Sequence, residues 1–291
     1  MQLAHDLLAI GSGGLVGFTL GLVGGGGSIL AVPLLVYVVG VGSPHVAIGT
    51  SAIAVAASAA ANLLGHARAR TVKWSCAIVF ALAGIAGAAL GAHVGKLVEG
   101  NRLLTLFGVL MIVVGLAMLR PRKSGGNPDV KLTPETFGHL VPALSGIGVV
   151  VGALSGFFGI GGGFLIVPGL IAATGMPLLN AIGSSLFAVT AFGLTTAISY
   201  AFSGLVDWPL ATLFIFGGAL GGVFGIRLAH RLASHKHALT RIFSSVVISV
   251  GIYVFLRGLW SRRIQPCRPL VWRIRSNGTI SCRSGGRAVK P

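Results

Sequence analysis

The sequence predicts an all-α, polytopic integral membrane protein made of two homologous four-element helical repeats, each opening on a glycine-broken helix. Three observations carry that prediction. The 291 residues are 54% hydrophobic and only 9% charged, against about 25% charged in soluble domains. The charges are segregated: none lies between Asp6 and Arg68, and none between Glu135 and Asp207. The chain also resembles itself at a nearly constant offset. A bilayer core takes roughly 20 apolar residues per helix. The uncharged runs are continuous and rich in Ala, Leu, Val and Gly, without the alternation over ~10 residues that marks membrane strands.

Gly26–Pro33 resembles Gly161–Pro168 at an offset of 135 residues. Ala47-Ile48-Gly49-Thr50-Ser51 matches Ala181-Ile182-Gly183-Ser184-Ser185, and Val72-Lys73-Trp74 matches Val206-Asp207-Trp208, both at 134. Gly84, Gly87 and Gly91 fall on Gly218, Gly221 and Gly225, and Gly115 falls on Gly251. This register divides the chain into a first transmembrane repeat (1–119), a linker read as cytoplasmic (120–139), a second transmembrane repeat (140–258) and a basic tail expected to be disordered (259–291). The linker carries Pro121, Pro128 and Pro134, which suits a connection.

The first repeat offers hydrophobic elements at 7–40, 44–65, 74–95 and 101–119. The second offers 140–175, 178–202, 208–229 and 239–257. Each opening element is too long for one crossing, since at ~1.5 Å per residue it overshoots a ~30 Å core. Glycines interrupt it at Gly24–Gly27 and Gly159–Gly163, and each glycine costs a helix about 1 kcal/mol. The element is therefore expected to break into half-helices of roughly 16 and 12 residues, which meet at mid-membrane. The glycines of the third elements are read as close helix packing.

Unwound backbone at membrane depth survives only when buried in protein or lining a polar cavity. Paired interruptions at matching points of two repeats are the best sequence pointer to a transporter's binding site. A half-helix starting at such a break presents free N–H groups and a positive dipole end, which suit an anion. The substrate-binding candidates are therefore Gly24, Gly25, Gly26, Gly27 and Ser28 in the first break, and Gly159, Gly161, Gly162 and Gly163 in the second. Thr50, Ser51, Ser184 and Ser185 recur beside the breaks as candidate hydroxyl donors. The competing role for such hydroxyls is a bond to their own helix carbonyls. Asn62 and Asn180 are read as packing polar groups.

At these residues the sequence resembles the sulfite exporter TauE/SafE family of membrane permeases. The resemblance rests on Gly24-Gly25-Gly26-Gly27-Ser28 followed by Pro33, and on Pro44 with Ala47–Ser51. In the second repeat it rests on Gly156–Gly163 followed by Pro168, on Ala181–Ser185 and on Asp207-Trp208. It covers about 7–258 and leaves the tail unmatched. It implies eight membrane-spanning elements and secondary transport of sulfite, a sulfonate or a related sulfur oxyanion, by export or uptake. The alternative is a membrane-embedded binding or assembly subunit without transport of its own.

Other chemistries lack their residues. Gly11-Ser12-Gly13-Gly14 has no strand before it, and no Gly-Lys-Ser/Thr follows any glycine run, so neither dinucleotide nor ATP binding is supported. Cys76, Cys267 and Cys282 have no metal spacing, and no acid lies among the span serines. No catalytic centre, metal or cofactor is expected. The net charge of +17 resides in connections and tail, which points to membrane lipid as a contact and not to nucleic acid. The expected partner is a small anionic substrate, and homo-oligomerisation stays open. The first helix lacks a basic leader and a small-residue cleavage site and is expected to be retained.

Two topologies fit. Broken elements that cross the bilayer make the repeats parallel; re-entrant ones make them inverted. Loop charge segregates somewhat better in the inverted case, although Arg257, Arg262 and Arg263 then lie on the sparser side.

Overall fold

The computed structural model of the chain describes residues 2–119, 134–159, 163–231 and 236–264. All regular structure among them is helical. Helix α1 (Gln2–Val23) leads into a 3₁₀ segment (Gly24–Leu30), a short α2 (Ala31–Pro33) and a π-helical stretch (Leu34–Val39). Then come α3 (Pro44–Arg68), α4 (Trp74–Leu97) and α5 (Gly100–Leu119). The second half continues with α6 (Pro134–Phe158), α7 (Gly163–Thr174), α8 (Leu178–Ala201), α9 (Trp208–Arg231) and α10 (Lys236–Ile264). Helix α6 starts inside the segment read as linker, and α10 runs past 258. The rest of the linker and of the tail lies outside the described residues.

Seven stretches among the described residues are long and apolar enough to cross a bilayer: His5–Leu22, Pro44–Arg68, Trp74–Leu97, Gly100–Ala117, Gly138–Phe158, Asn180–Ala201 and Trp208–Gly225. Gly27–Val39, Gly163–Thr174 and Ser244–Gly258 are apolar but shorter. Large apolar side chains such as Leu82, Leu90, Phe216 and Phe224 face outward, as a lipid-facing surface requires. The protein is a multi-pass membrane protein.

Helix directions follow from which residues a Cβ at each glycine would strike. Gly13 faces the Phe214 backbone, Gly17 that of Gly218, and Gly225 that of Phe18. The numbers rise together, so α1 and α9 run parallel. Gly84 lies against Gly148, Gly91 against Ala153 and Gly95 against Phe157, so α4 and α6 are parallel too. The fourth helices run oppositely, because Gly108 faces Phe255 while Gly115 faces Ile248. The second helices do the same, with Gly49 against Tyr200 and Gly193 against Ala56. Small residues allow these backbones to touch.

The broken elements fold back on themselves. A Cβ on Gly27 would strike Leu20 and Thr19, and Gly169 lies beside Ile147 and Val151. Parallel repeats would make α5 and α10 parallel; they are antiparallel, so the two halves are oppositely oriented and the opening elements are re-entrant. The first arms are longer than expected. Helix α1 has 22 residues and α6 has 25, enough to reach the opposite end of the bundle at about 1.5 Å per residue. The breaks consequently do not meet at mid-membrane. The second lies toward the end where α1 begins, here the near end, and the first toward the far end.

This arrangement predicts a labelling pattern. Single cysteines at the exposed positions 42 and 202 should react with a membrane-impermeant maleimide from one face, and a cysteine at the exposed position 70 from the other. Positions 70 and 202 reacting from the same face would contradict the inverted arrangement.

Candidate functional site

The candidate hydroxyls divide by role. Ser51 Oγ donates to Ile48 O at 3.0 Å and Ser185 Oγ to Ile182 O at 2.7 Å, so both bond their own helices. Thr50 and Ser184 instead reach across to the other half of the chain. The Asp207 N–H donates to Thr50 Oγ1 at 3.1 Å, and the Lys73 N–H donates to Ser184 Oγ at 2.9 Å. All four side chains are fully buried. A helix leaves its first N–H groups without intrahelical partners. Each of these two hydroxyls therefore accepts from the residue just before a third helix, α9 or α4, that belongs to the other half.

The neighbouring contacts recur in the same way. A Cβ at Gly49 would strike Leu205 O, and one at Gly183 would come within 2.8 Å of Thr71 Oγ1. Gly49 and Gly183, like Leu205 and Thr71, are 134 residues apart. The turns that end on Asp207 and Lys73 share one backbone shape: Gly204 has φ +66° and Arg70 has φ +54°. His66 Nδ1 lies 3.0 Å from Thr71 Oγ1, which donates to His66 O at 3.1 Å, and this holds the first turn. Asp207 Oδ1 accepts from the Leu210 N–H at 3.0 Å and caps α9.

Sequence reasoning overlooked Lys73 and Asp207 as partners. They were visible as a matched pair, but an ammonium and a carboxylate do not suggest a common role. The shared role belongs to their backbone amides.

The breaks are distributed between the two ends. Gly159, at φ +66°, meets Ile48 of α3, one turn from Thr50 and Ser51. The first break, Gly24–Leu30, packs against α7 and α8. Ser28 and Gly27 within it are buried, while Gly24, Gly25 and Gly26 are defined by their 3₁₀ backbone. Gly163 begins α7 and is buried. Gly161 and Gly162 lie outside the described residues. Each break thus sits beside the second helix of the opposite half. Lys96 ties the near end together. Its Nζ donates to Ser199 O, Ser199 Oγ and Ser203 Oγ at 3.0–3.1 Å and lies 5.8 Å from the Tyr200 ring centroid. No group of three His, Cys, Asp or Glu that could hold a metal occurs among the described residues.

The family described as Sulfite exporter TauE/SafE matches residues 9–254. A probable membrane transporter protein of Xylella fastidiosa strain 9a5c is 56% identical over 257 residues, covering 88% of this chain and 97% of the relative. The probable membrane transporter protein YunE of Bacillus subtilis is 29% identical, over 85% of this chain and 97% of its own length. The probable membrane transporter protein MJ0441 of Methanocaldococcus jannaschii is 26% identical, over 83% and 94%. No solved structure matches.

The Gly159–Ile48 contact is testable. Gly159→Ala should lower stability by about 2–3 kcal/mol, combining a left-handed backbone with a clash. Ile48→Ala alone costs about 2–4 kcal/mol. In the double variant the loss, measured by thermal unfolding in detergent, should be smaller than the two added together, because the clash is gone. Strict additivity would show that the two residues do not touch.

Proposed function

The chain belongs to the sulfite exporter TauE/SafE family, and we propose that it is a secondary transporter whose cargo is a small sulfur oxyanion or an organosulfonate. The reading is of a transporter and not of an enzyme, and what supports it is the family and the relatives named as probable membrane transporter proteins. The observation that carries the reading is the placement of each break against the second helix of the opposite half.

An oxyanion leaving water loses strong hydrogen bonds, and an unpaired charge in a low-dielectric interior costs many kcal/mol. Among the described residues, Arg and Lys lie only at or near the ends of the spans. The donors left are therefore the first backbone N–H groups of α7, which starts at Gly163 after the second break, and the hydroxyls of Thr50 and Ser184, while the first break keeps 3₁₀ bonding through Gly24–Leu30. The arms Gly27–Val39 and Gly163–Thr174 enter the interior from opposite ends. A path along them would meet one donor cluster after the other, and re-entrant, oppositely oriented halves are a recurrent transporter architecture. The far end carries Arg68, Arg70, Lys73, Arg227, Arg231, Lys236 and Arg241 at its helix termini, and we assign it to the cytoplasm by the positive-inside rule.

Purified protein in proteoliposomes should carry radiolabelled sulfite, sulfate or taurine down an imposed gradient. Gly26→Val should abolish that flux with expression largely intact, since a branched side chain would occupy ligand space and restrict φ. A folded wild-type protein that moves none of the three anions would refute the assignment.

A further inference from the structure

We propose that the Asp207–Thr50 and Lys73–Ser184 hydrogen bonds are the two gates of the transport cycle, one at each end of the path, and that they open one at a time. The proposal rests on the transporter reading above and adds the parts that move.

The helices group into bodies. Helix α1 packs along α9, and α4 along α6, through extensive parallel backbone contact. The α1–α9 pair carries the turn that ends on Asp207; the α4–α6 pair carries the turn that ends on Lys73. The antiparallel second helices, α3 and α8, contact each other as a further body. That body bears Thr50 toward the near end and Ser184 toward the far end. That body packs on α9 and α4 along its length, with Ser58 and Asn62 against Gly218 and Gly222 and Phe192 against Gly84, but its two hydroxyl-to-amide bonds with the flanking pairs sit at opposite ends. Tilting it would pull one hydroxyl away from its amide while keeping the other in place.

The chemistry of the bonds suits a gate. Both are amide-to-hydroxyl bonds without a charge pair, so each is of modest net strength. When a turn swings out, its N–H exchanges the hydroxyl for water and is not left unsatisfied. Gly49 and Gly183 bring each turn flush onto the opposing helix, so the same contact that makes the bond closes the end. Arg70 and Gly204 both adopt positive φ in the turns, and such turns at element ends are where hinge motion is absorbed. Both bonds are formed here, and Thr50 and Ser184 are fully buried; both ends are shut.

The test uses a cysteine at Ala31, which is fully buried on the first returning arm, in a chain with Cys76, Cys267 and Cys282 replaced by Ser. Labelling by an impermeant thiol reagent is measured from each face, with the faces identified by cysteines at positions 42 and 70. Thr50→Val should raise near-face labelling about fivefold, the factor expected for one lost bond, and leave far-face labelling unraised. Ser184→Ala should do the reverse. Thr50→Ser and Ser184→Thr, which keep the acceptor, should return wild-type rates. If Thr50→Val does not fold, a disulfide between cysteines at 50 and 207 should suppress near-face labelling alone. Equal increases from both faces, no increase, or a cross-link without sidedness would overturn the proposal. Flux of a sulfur anion without sidedness would remove the gates and leave the transporter. Sidedness without flux would keep the gates and remove the proposed cargo.

Discussion

Hydrocarbon offers the backbone no hydrogen-bond partner, and this requirement governs the whole structure. It forces the chain into helices wherever lipid is near and makes any interruption a local problem that protein must solve. Here the interruptions are solved by enclosure. The first break continues as a 3₁₀ helix buried against α7 and α8, and Gly159 at the second turns beneath Ile48. The freed amides at the starts of α4 and α9 are met by hydroxyls from the opposite half. Such groups cannot be placed independently, because each is the partner of another.

Exchange between the halves is the device that meets the requirement. The first helix of each half lies along the third helix of the other, and the second and fourth helices pair with their counterparts. Close approach through glycine gives these parallel pairs backbone-to-backbone contact, which substitutes for the hydrophobic drive that is lacking between helices in lipid. Polar contacts sit at the ends of this assembly, where Lys96 reaches Ser199 near the end of α8 and Ser203 in the turn after it.

Much of this was legible in the residues. The segregation of charge announced the spans, since a charge near mid-bilayer is costly. The glycine runs announced the breaks, because helix propensity and length both argued against continuity. The depth of the breaks was not legible. The arms α1 and α6 extend through residues whose polarity, at Asp6 and Glu135, suggested that they lay outside, and only the contacts of Gly17 and Gly91 reveal how far they run. The repeat-to-repeat offset pointed to equivalent residues but was silent on exchange, since the same offset is produced whether each half packs on itself or on the other. Ser51 and Ser185 recur as faithfully as Thr50 and Ser184, yet bond their own helices. Recurrence marks equivalence of environment and leaves the partner unstated.

The exchanged pairing of α1 with α9 also bears on how the chain is made. Synthesis delivers α1 to the membrane long before α9 exists, so the small-residue surface around Gly13 and Gly17 must wait in lipid for its complement. Helix α4 waits likewise, though for a shorter stretch of translation, until α6 arrives. Neither half can reach its final packing alone, and assembly is committed only when the last third of the polypeptide has entered the bilayer. A ribosome halted after α5 would leave four unfinished interfaces in the membrane, on α1, α3, α4 and α5.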